Sequence, residues 1–458
     1  MHTLRALIFS GLSLILAACS HQDIQKSDLP APTLTQLSTA QMQEKLQAAN
    51  TLIIDTRSSD AFNGWPQANA ARGGHLPGAK HFSAQWLDSA NQSRHENLQK
   101  VLQEKGITPD KELVLYDENA KNISQVAAYL STQGFNKITE YTAINTWAVD
   151  VNLPMERYPN YQILVPASWI KALQDKNSSN MNGSPEKYRI FQVGWGSKTQ
   201  DTQPNFIPGA SRMNTDDFEE GPIWNRLSDE KLQTALNKYG IEQNTLVVLY
   251  GVKGADLMAA FRLYAILKYM GIKDVRILDG GFAKWQQAGY LAEEEGSPLQ
   301  PIKQAHNQIA INHTHIVDMP EAKAILSNPE ESQLVDIRTL EEFIGKTPGY
   351  LDIKAKGRIP GSYWGQAGSD TSNLNDYRNP DQTMKSAEDI LKMWQTHGIN
   401  PNKRLSFYCG TGWRAAEVLA YAHVMGLKKV SLYDGGWYEW SADPKNPIET
   451  GLPPKTAN

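Results

Sequence analysis

Cysteine is nearly absent from this chain of 458 residues, in which only Cys19 and Cys409 occur. The sequence also lacks an excess of either charge, since its formal net charge at pH 7 is −4. We therefore expect no nucleic-acid-binding surface, because such surfaces need clustered Lys and Arg. The His and Cys spacings match no zinc-binding pattern, so neither a metal nor another cofactor is predicted.

Long apolar runs are missing as well. Beyond the first eighteen residues, no stretch approaches the length of about 20 apolar residues that a membrane-spanning helix requires. The hydrophobic fraction of 40% and the charged fraction of 21% are ordinary for globular protein. At about 150 residues per domain, the chain length indicates about three domains.

The N-terminus has the pattern of a targeting segment. Arg5 precedes an apolar run over residues 6–18 that is too short to cross a bilayer. The run ends in Leu-Ala-Ala-Cys at 16–19, which resembles the lipobox of bacterial lipoproteins. The resemblance implies that residues 1–18 are a signal peptide, that Cys19 is lipidated, and that residues 19–33 form a tether. The alternative is an ordinary secretory signal cut after Ala18.

The lipoprotein interpretation places the protein on the periplasmic side of a bacterial membrane, with the outer membrane favoured. If Cys19 carries lipid, no intramolecular disulfide can form, and Cys409 is the only thiol of the mature chain. A single thiol in an oxidising compartment cannot protect the fold, so this count favours a reactive role for Cys409.

The rest of the chain repeats one pattern three times. Each copy has an apolar strand, a Pro-Gly turn and a second apolar strand, and the second and third copies also have Asp-Gly-Gly. Pro208 to Asp279 is 71 positions and Pro360 to Asp434 is 74, so the spacing is kept. A period of this length is too long for a solenoid. We predict tandem domains over 34–156, 160–298 and 309–455.

Within each copy, short apolar strands alternate with helical patterns. That alternation predicts an α/β fold in which a parallel sheet has helices on both faces. Ligands bind such sheets at the carboxyl ends of the strands. The motif Asp336-Ile337-Arg338 and Cys409 both lie at strand ends, so they can meet in space.

The stretch 405–419 carries the strongest chemical signal. An apolar strand over 405–408 is followed by a helical pattern from about Trp413. The glycines at 410 and 412 let the backbone curl so that successive N–H groups can point inward. Such a cup at a helix N-terminus binds anions and favours a thiolate over a thiol, and Arg414 adds a positive charge at its rim. The pattern predicts a nucleophilic Cys409 that faces an anionic substrate.

The sequence Cys-Gly-Thr-Gly-Trp-Arg at 409–414 resembles the six-residue active-site loop of rhodaneses, the single-cysteine sulfurtransferases. The runs 357–362 and 432–437 and the Asp-x-Arg at 336–338 resemble three further motifs of that family, in the right order. The resemblance implies three rhodanese-like domains and a thiosulfate sulfurtransferase. In it, the Cys409 thiolate would take the outer sulfur of thiosulfate as a persulfide, release sulfite, and pass the sulfur to cyanide or a thiol.

The resemblance also implies roles for other residues in the third domain. The loop amides would hold the anionic groups, and Arg338 and Arg414 would bind the donor anion. The predicted substrate-binding residues are Arg338, Gly410, Thr411, Gly412, Trp413 and Arg414. The alternative for Arg338 is a strand-end ion pair with Asp336 or Glu341.

The first two domains are predicted to be catalytically silent. Alignment by length places Asp117 and Gly251 where Cys409 stands in the third domain. A carboxylate cannot accept a sulfane sulfur, and glycine has no side chain. In the second domain, Gln-Val-Gly at 192–194 also replaces Asp-x-Arg.

Three alternatives to a thiosulfate sulfurtransferase are open at this point. The donor could be 3-mercaptopyruvate, although Trp413-Arg414 depart from the usual end of that branch's loop. A cysteine phosphatase or arsenate reductase shares the cup but places five residues between Cys and Arg, and this chain has four. The third alternative is a non-catalytic, lipid-anchored sulfur carrier or binding protein, which the intact third loop disfavours.

Overall fold

The computed structural model describes residues 32–67, 70–88, 94–175, 187–196, 205–303 and 310–453. The predicted signal peptide, Cys19 and residues 19–31 of the predicted tether lie outside the described residues. No helix in the described part of the chain has both the length and the apolar character that a membrane span requires.

The described chain contains three five-stranded sheets, one in each predicted domain, and every strand pair within them is parallel. If the strands of each sheet are numbered along the chain, all three sheets have the order 1-5-4-2-3. Both faces of a sheet are buried: in the first domain Val114 joins one apolar cluster, while its neighbours Leu113 and Leu115 join another. The predicted tandem α/β domains with parallel sheets are therefore confirmed.

The described residues of the first domain form five strands and five α-helices. Its strands are β1 Thr35–Gln36, β2 Thr51–Asp55, β3 Lys80–His81, β4 Glu112–Tyr116 and β5 Ile138–Tyr141. Its helices are α1 Thr39–Leu46, α2 Ser59–Asn63, α3 Arg94–Lys105, α4 Ala120–Thr132 and α5 Ile144–Val149.

The second domain adds a two-stranded antiparallel ribbon, β9 with β10, to its parallel sheet. Its strands are β6 Leu164–Val165, β7 Tyr188–Gly194, β8 Ser211–Asn214, β9 Glu219–Glu220, β10 Asn225–Arg226, β11 Leu246–Tyr250 and β12 Val275–Leu278. Its helices are α6 Ala167–Gln174, α7 Asp229–Lys238, α8 Ala255–Tyr269 and α9 Phe282–Gln287.

The described residues of the third domain repeat the five-stranded design and form no such ribbon. Its strands are β13 Ile316–Val317, β14 Ser332–Asp336, β15 Tyr363–Trp364, β16 Arg404–Tyr408 and β17 Val430–Tyr433. Its helices are α10 Met319–Leu326, α11 Leu340–Phe343, α12 Ala387–Thr396, α13 Trp413–Val424 and α14 Gly436–Ala442.

Strand register fixes which residues are equivalent in the three domains. The last residue of β16, Tyr408, lies beside Asp336 at the end of β14. Tyr116 lies beside Asp55 in the same way, and Tyr250 lies beside Gln192. The next residue after each tyrosine is therefore equivalent, which confirms that Asp117 and Gly251 occupy the position of Cys409.

The second and third domains pack through α8 and α13. Helix α8 is buried on almost every side, as expected for a helix that contacts its own sheet on one side and another domain on the other. Phe261 of α8 meets Tyr421 of α13 edge to face, with ring centroids 5.3 Å apart. Because α13 begins in the loop that carries Cys409, this interface joins the second domain to the predicted site.

Candidate active site

Cys409 lies between the end of β16 and the start of α13, and its side chain is fully buried. Its Sγ accepts a hydrogen bond from the backbone N–H of Gly412, with a donor–acceptor distance of 3.1 Å. Gly412 caps α13 with a φ of 92°, a left-handed conformation that glycine adopts without steric cost. The predicted curl of the loop around the sulfur is therefore present.

Several other N–H groups of this loop are available to a ligand. The N–H groups of Gly410 and Thr411 have no acceptor among the described residues. Those of Trp413 and Arg414 belong to the first turn of α13, where a helix supplies no carbonyl partner. The loop thus offers backbone donors beside the sulfur, at the helix end that favours negative charge.

The motif at 432–437 holds this loop from the other side. The N–H of Trp437 donates to the carbonyl of Cys409 at 2.8 Å, and the N–H of Tyr438 donates to the carbonyl of Gly410 at 3.1 Å. A Cβ at position 436 would lie 2.5 Å from the Cys409 oxygen. Glycine is required at 436 because the two backbones approach so closely.

Tyr350, which the sequence motifs do not include, covers the loop. A Cβ at Gly410 would lie 2.0 Å from its ring, so the ring packs directly on the loop backbone. Burial, together with the neighbouring Cys409 and Glu342, raises the pKa of Tyr350 to about 12, although the Arg414 guanidinium opposes the shift. Its hydroxyl group therefore keeps its proton at neutral pH and can act as a donor.

Arg414 does not lie at a rim, which corrects the expectation from the sequence. It is fully buried, and its two terminal nitrogens donate to the carboxylate oxygens of Glu342 at 2.8 and 2.9 Å. Burial opposes ionisation of Glu342, but Arg414 outweighs this and lowers its pKa to about 2. The positive charge of Arg414 is thus already matched by a carboxylate. In the sequence, Thr339 is followed three residues later by Glu342, which is the spacing of a capping box at the start of a helix. This spacing was a signal for where the Glu342 carboxylate lies.

Arg338 is also buried, and it forms a two-point ion pair with Asp336 at 2.8 and 2.6 Å. Its guanidinium donates to the carbonyl of Gly357 as well, at 2.8 Å. The strand-end ion pair considered above is therefore formed with Asp336. Donor binding by Arg338 stays a prediction, because these contacts by themselves account for its position.

The first domain contains the same arginine arrangement without a thiol. Arg57 pairs with Asp55 at 2.9 and 2.6 Å, and donates to the carbonyl of Gly74 at 2.6 Å. At the position of Cys409, the carboxylate of Asp117 accepts the N–H of Asn119 at 2.9 Å. Burial raises the pKa of Asp117 to about 6. A side-chain carboxyl group of the protein itself therefore occupies this loop.

The second domain keeps the backbone contact and lacks the nucleophile. The N–H of Phe282 donates to the carbonyl of Gly251 at 2.9 Å, as Trp437 does to Cys409. Gln192 stands in place of the acid of Asp-x-Arg and accepts a hydrogen bond from Arg212 at 2.9 Å. Neither silent domain can form a covalent sulfur adduct at this position.

The second domain also reaches the Cys409 loop directly. The indole N–H of Trp413 donates to Glu219 at 2.8 Å, and the Arg262 guanidinium lies against Gly412. Nothing in the sequence indicated these two residues, because they lie outside the motifs and in another domain. In the described residues, no group of three or more His, Cys, Asp or Glu side chains is placed to hold a metal ion.

Known proteins resemble this chain over most of its length. A model described as "Rhodanese-like domain" matches residues 38–147, 184–288 and 318–443. The thiosulfate sulfurtransferase YnjE of Escherichia coli is 40% identical over 410 residues, which cover 89% of this chain and 91% of that protein.

Solved structures resemble this chain over about nine tenths of its length. One is the anaerobic ergothioneine biosynthesis enzyme from Chlorobium limicola in complex with its natural substrate, trimethyl histidine. It is 34% identical, and the match covers 92% of this chain and 100% of that chain, with a TM-score of 0.85. Another is EanB with a tyrosine replaced by phenylalanine, a cysteine persulfide and bound ergothioneine. It is 35% identical, covers the same shares and has a TM-score of 0.84.

We expect Arg414→Ala to destabilise the third domain by about 3–5 kcal/mol, because it leaves the Glu342 carboxylate buried without its partner. Urea denaturation of the wild type and the variant measures this difference. Replacing both partners, as in Arg414→Leu with Glu342→Leu, should restore most of the loss. A loss below about 1 kcal/mol for Arg414→Ala would show that water replaces the guanidinium.

The Glu342 carboxyl group should also give a pH signature. Its pKa falls from 4.5 to about 2 on folding, so its stabilisation is complete above pH 4.5 and is lost as the pH falls towards 2. The stability advantage of the wild type over Glu342→Gln should therefore shrink over that window, by up to about 3 kcal/mol. Denaturation midpoints between pH 7 and pH 3 test this. Glu341→Gln, at a side chain that is 66% exposed, is the matched control and should show no such change.

Proposed function

The chain belongs to the family of proteins built from rhodanese-like domains, and from that membership we propose that it is a thiosulfate sulfurtransferase. The Cys409 thiolate attacks the outer sulfur of thiosulfate, the sulfur–sulfur bond of the donor breaks, and sulfite leaves with the bonding electrons. A thiol or cyanide then attacks the outer persulfide sulfur and regenerates the Cys409 thiolate. The proposal depends above all on the 3.1 Å hydrogen bond from the Gly412 N–H to Cys409 Sγ.

Backbone dipoles would supply most of the attraction for the anionic groups. The nearby guanidinium groups of Arg338 and Arg414 are both paired with carboxylates. The N–H groups of Gly410 and Thr411 have no such partner in the described chain. In a site closed to water, such fixed donors stabilise developing negative charge without reorganising during the reaction.

Thiosulfate is the proposed donor because of the E. coli relative. That protein is named a thiosulfate sulfurtransferase and is similar over nine tenths of both chains. Arg414 does not supply an extra free cation for a compact dianion such as thiosulfate, since Glu342 neutralises it. We keep 3-mercaptopyruvate as the alternative donor and a sulfur carrier without turnover as the alternative function.

A second candidate is transfer of the persulfide sulfur to an imidazole, and Tyr350 is the observation that favours it. In the EanB structure, the substituted tyrosine precedes the persulfide cysteine by 59 positions, and Tyr350 precedes Cys409 by the same 59. Here that ring lies on the loop and its hydroxyl group is protonated at neutral pH. Tyr350 could donate a proton to a ring nitrogen of such an acceptor.

For location, we propose lipidation at Cys19 and a position on the periplasmic side of a bacterial membrane. Support comes from the Leu-Ala-Ala-Cys sequence at 16–19 and the preceding short apolar run. The tether that follows would let the three domains stand away from the lipid surface.

Thiosulfate should add one sulfur atom to the chain, a mass increase of about 32 Da, and the adduct should map to Cys409. Intact-mass and peptide-mass measurements after incubation test this. Cys409→Ser should acquire no adduct, because its hydroxyl group is not ionised near neutral pH. Absence of an adduct from both thiosulfate and 3-mercaptopyruvate would contradict the proposal.

The loaded protein should then lose its sulfur to a suitable acceptor. Cyanide, dithiothreitol and trimethyl histidine, offered separately, distinguish the candidate functions by the sulfur-bearing product formed. Turnover with cyanide or the thiol supports the first candidate, and a thiolated imidazole supports the second. A persulfide that none of the three removes would identify a carrier.

Cys19→Ala should move the full-length protein from the membrane fraction to the soluble fraction when it is expressed in a bacterium, because the acyl chains provide the anchor. Immunoblots of fractionated cells measure the shift. Cys409→Ser, which alters the other cysteine, should stay with the membranes. Membrane association of Cys19→Ala would disprove the lipid anchor.

A further inference from the structure

The loop that carries Cys409 is contacted from outside its own domain by two residues of the second domain, Glu219 of β9 and Arg262 of α8. The ribbon of β9 and β10 brings Glu219 to the start of α13, where its carboxylate accepts the Trp413 indole N–H at 2.8 Å. The other carboxylate oxygen accepts from Arg262 Nε, also at 2.8 Å. A catalytically silent domain thus binds a residue of the catalytic loop.

Arg262 connects this contact to the motif at 432–437 of the third domain. Its Nη1 lies 2.6 Å from Oδ1 of Asp434 in an ion pair. The same nitrogen would lie 3.0 Å from a Cβ at Gly412, so the guanidinium packs against the residue that donates to Cys409 Sγ. Arg262 is fully buried and Glu219 is 1% exposed.

We propose that Glu219 and Arg262 are positioning residues that hold the Cys409 loop in the geometry needed for persulfide formation. Glu219 fixes the indole of Trp413, the first residue of α13. Arg262 supports Gly412 and Asp434, which lies in the motif at 432–437. This inference builds on the sulfurtransferase function proposed above, and it assigns the silent second domain a direct part in it.

Burial explains why this contact can hold the loop in place. Charged groups removed from water have few alternative partners, so breaking one pair leaves another charge uncompensated. Asp434 also accepts from the backbone N–H of Arg226 at 2.9 Å, which joins the end of the ribbon to the same cluster. The ribbon, α8 and the loop are therefore connected by hydrogen bonds that water cannot easily replace.

The charge balance of the cluster indicates that it acts through position rather than by supplying positive charge. Arg262 faces two carboxylates, those of Glu219 and Asp434, and Arg226 faces Asp434 and Asp318. Burial raises the pKa of Glu219 to about 7 despite its bond to Arg262. No net positive charge is left over to stabilise a thiolate or attract an anion.

A second ion pair between the same two domains supplies a matched control. Lys284 of the second domain pairs with Asp381 of the third at 2.5 Å, and both side chains are mostly buried. This ion pair joins the same two domains but contacts neither Trp413 nor Gly412. Lys284→Met should weaken the domain interface without disturbing the Cys409 loop.

The test compares Glu219→Ala, Glu219→Gln, Trp413→Phe and Lys284→Met in the full chain by two measurements. Hydrogen exchange of the peptide that spans residues 409–416 reports on loop order. The limiting rate of persulfide formation at saturating thiosulfate reports on loop geometry. We expect Glu219→Ala and Trp413→Phe each to speed exchange at least fivefold. Each should also lower the limiting rate about tenfold or more, with little change in the half-saturating thiosulfate concentration.

Glu219→Gln keeps an oxygen that can accept the indole N–H, so it should recover most of the limiting rate. The double variant Glu219→Ala with Trp413→Phe should be no slower than either single variant, because both remove the same contact. Lys284→Met should match the wild type in both measurements.

Unchanged loop exchange in Glu219→Ala, or an equal change in Lys284→Met, would overturn the positioning role. Additive effects in the double variant would overturn it as well. Failure of the sulfurtransferase function is a separate result: the wild type would then form no persulfide, while faster loop exchange in Glu219→Ala would still support the positioning role.

Discussion

Neutralisation of buried guanidinium groups is the constraint on which the third domain depends. Arg262, Arg338 and Arg414 are each fully buried near the Cys409 loop, and each is paired with at least one carboxylate. An unpaired charge in these positions would cost several kcal/mol, so the partners fix one another's positions. As a consequence, the positive potential at the sulfur comes mainly from the N–H groups of the loop and from the start of α13. These donors do not depend on the ionisation of any side chain.

The same buried pair in the first domain, which has no thiol at the position of Cys409, shows that Asp-x-Arg has a structural role. Tyr408 donates its hydroxyl hydrogen to Asp336 at 2.7 Å, and Tyr116 donates to Asp55 at 2.6 Å. In both domains, the arginine two residues after the aspartate completes the cluster. A motif with the same contacts in catalytic and silent copies cannot by itself mark catalysis. The residue after the tyrosine, which is Cys409 only in the third domain, makes the difference.

The sequence predicted the features that one short stretch of chain can encode. Repeated motifs and alternating apolar runs predicted the three parallel sheets, and the glycines around Cys409 predicted the loop. The environment of Arg414 was not predictable in this way, because its partner Glu342 lies 72 positions earlier. Glu219 is 194 positions from Trp413 and in another domain. The first contact depends on packing within the third domain and the second on packing between domains, and hydrophobic periodicity encodes neither.

The second and third domains contact each other in a reciprocal way, which gives the silent copy a structural role. The Arg226 N–H of the second domain donates to Asp434, and the Met384 N–H of the third donates to Asp279 at 3.0 Å. Each acceptor is the aspartate of an Asp-Gly-Gly motif. Each donor lies in the other domain, in the segment that follows the third strand of the donor's own sheet. One of these equivalent contacts supports a loop with a thiol, and the other supports a loop with Gly251. The two sites therefore share the same contact between the domains, but only the site in the third domain has a thiol.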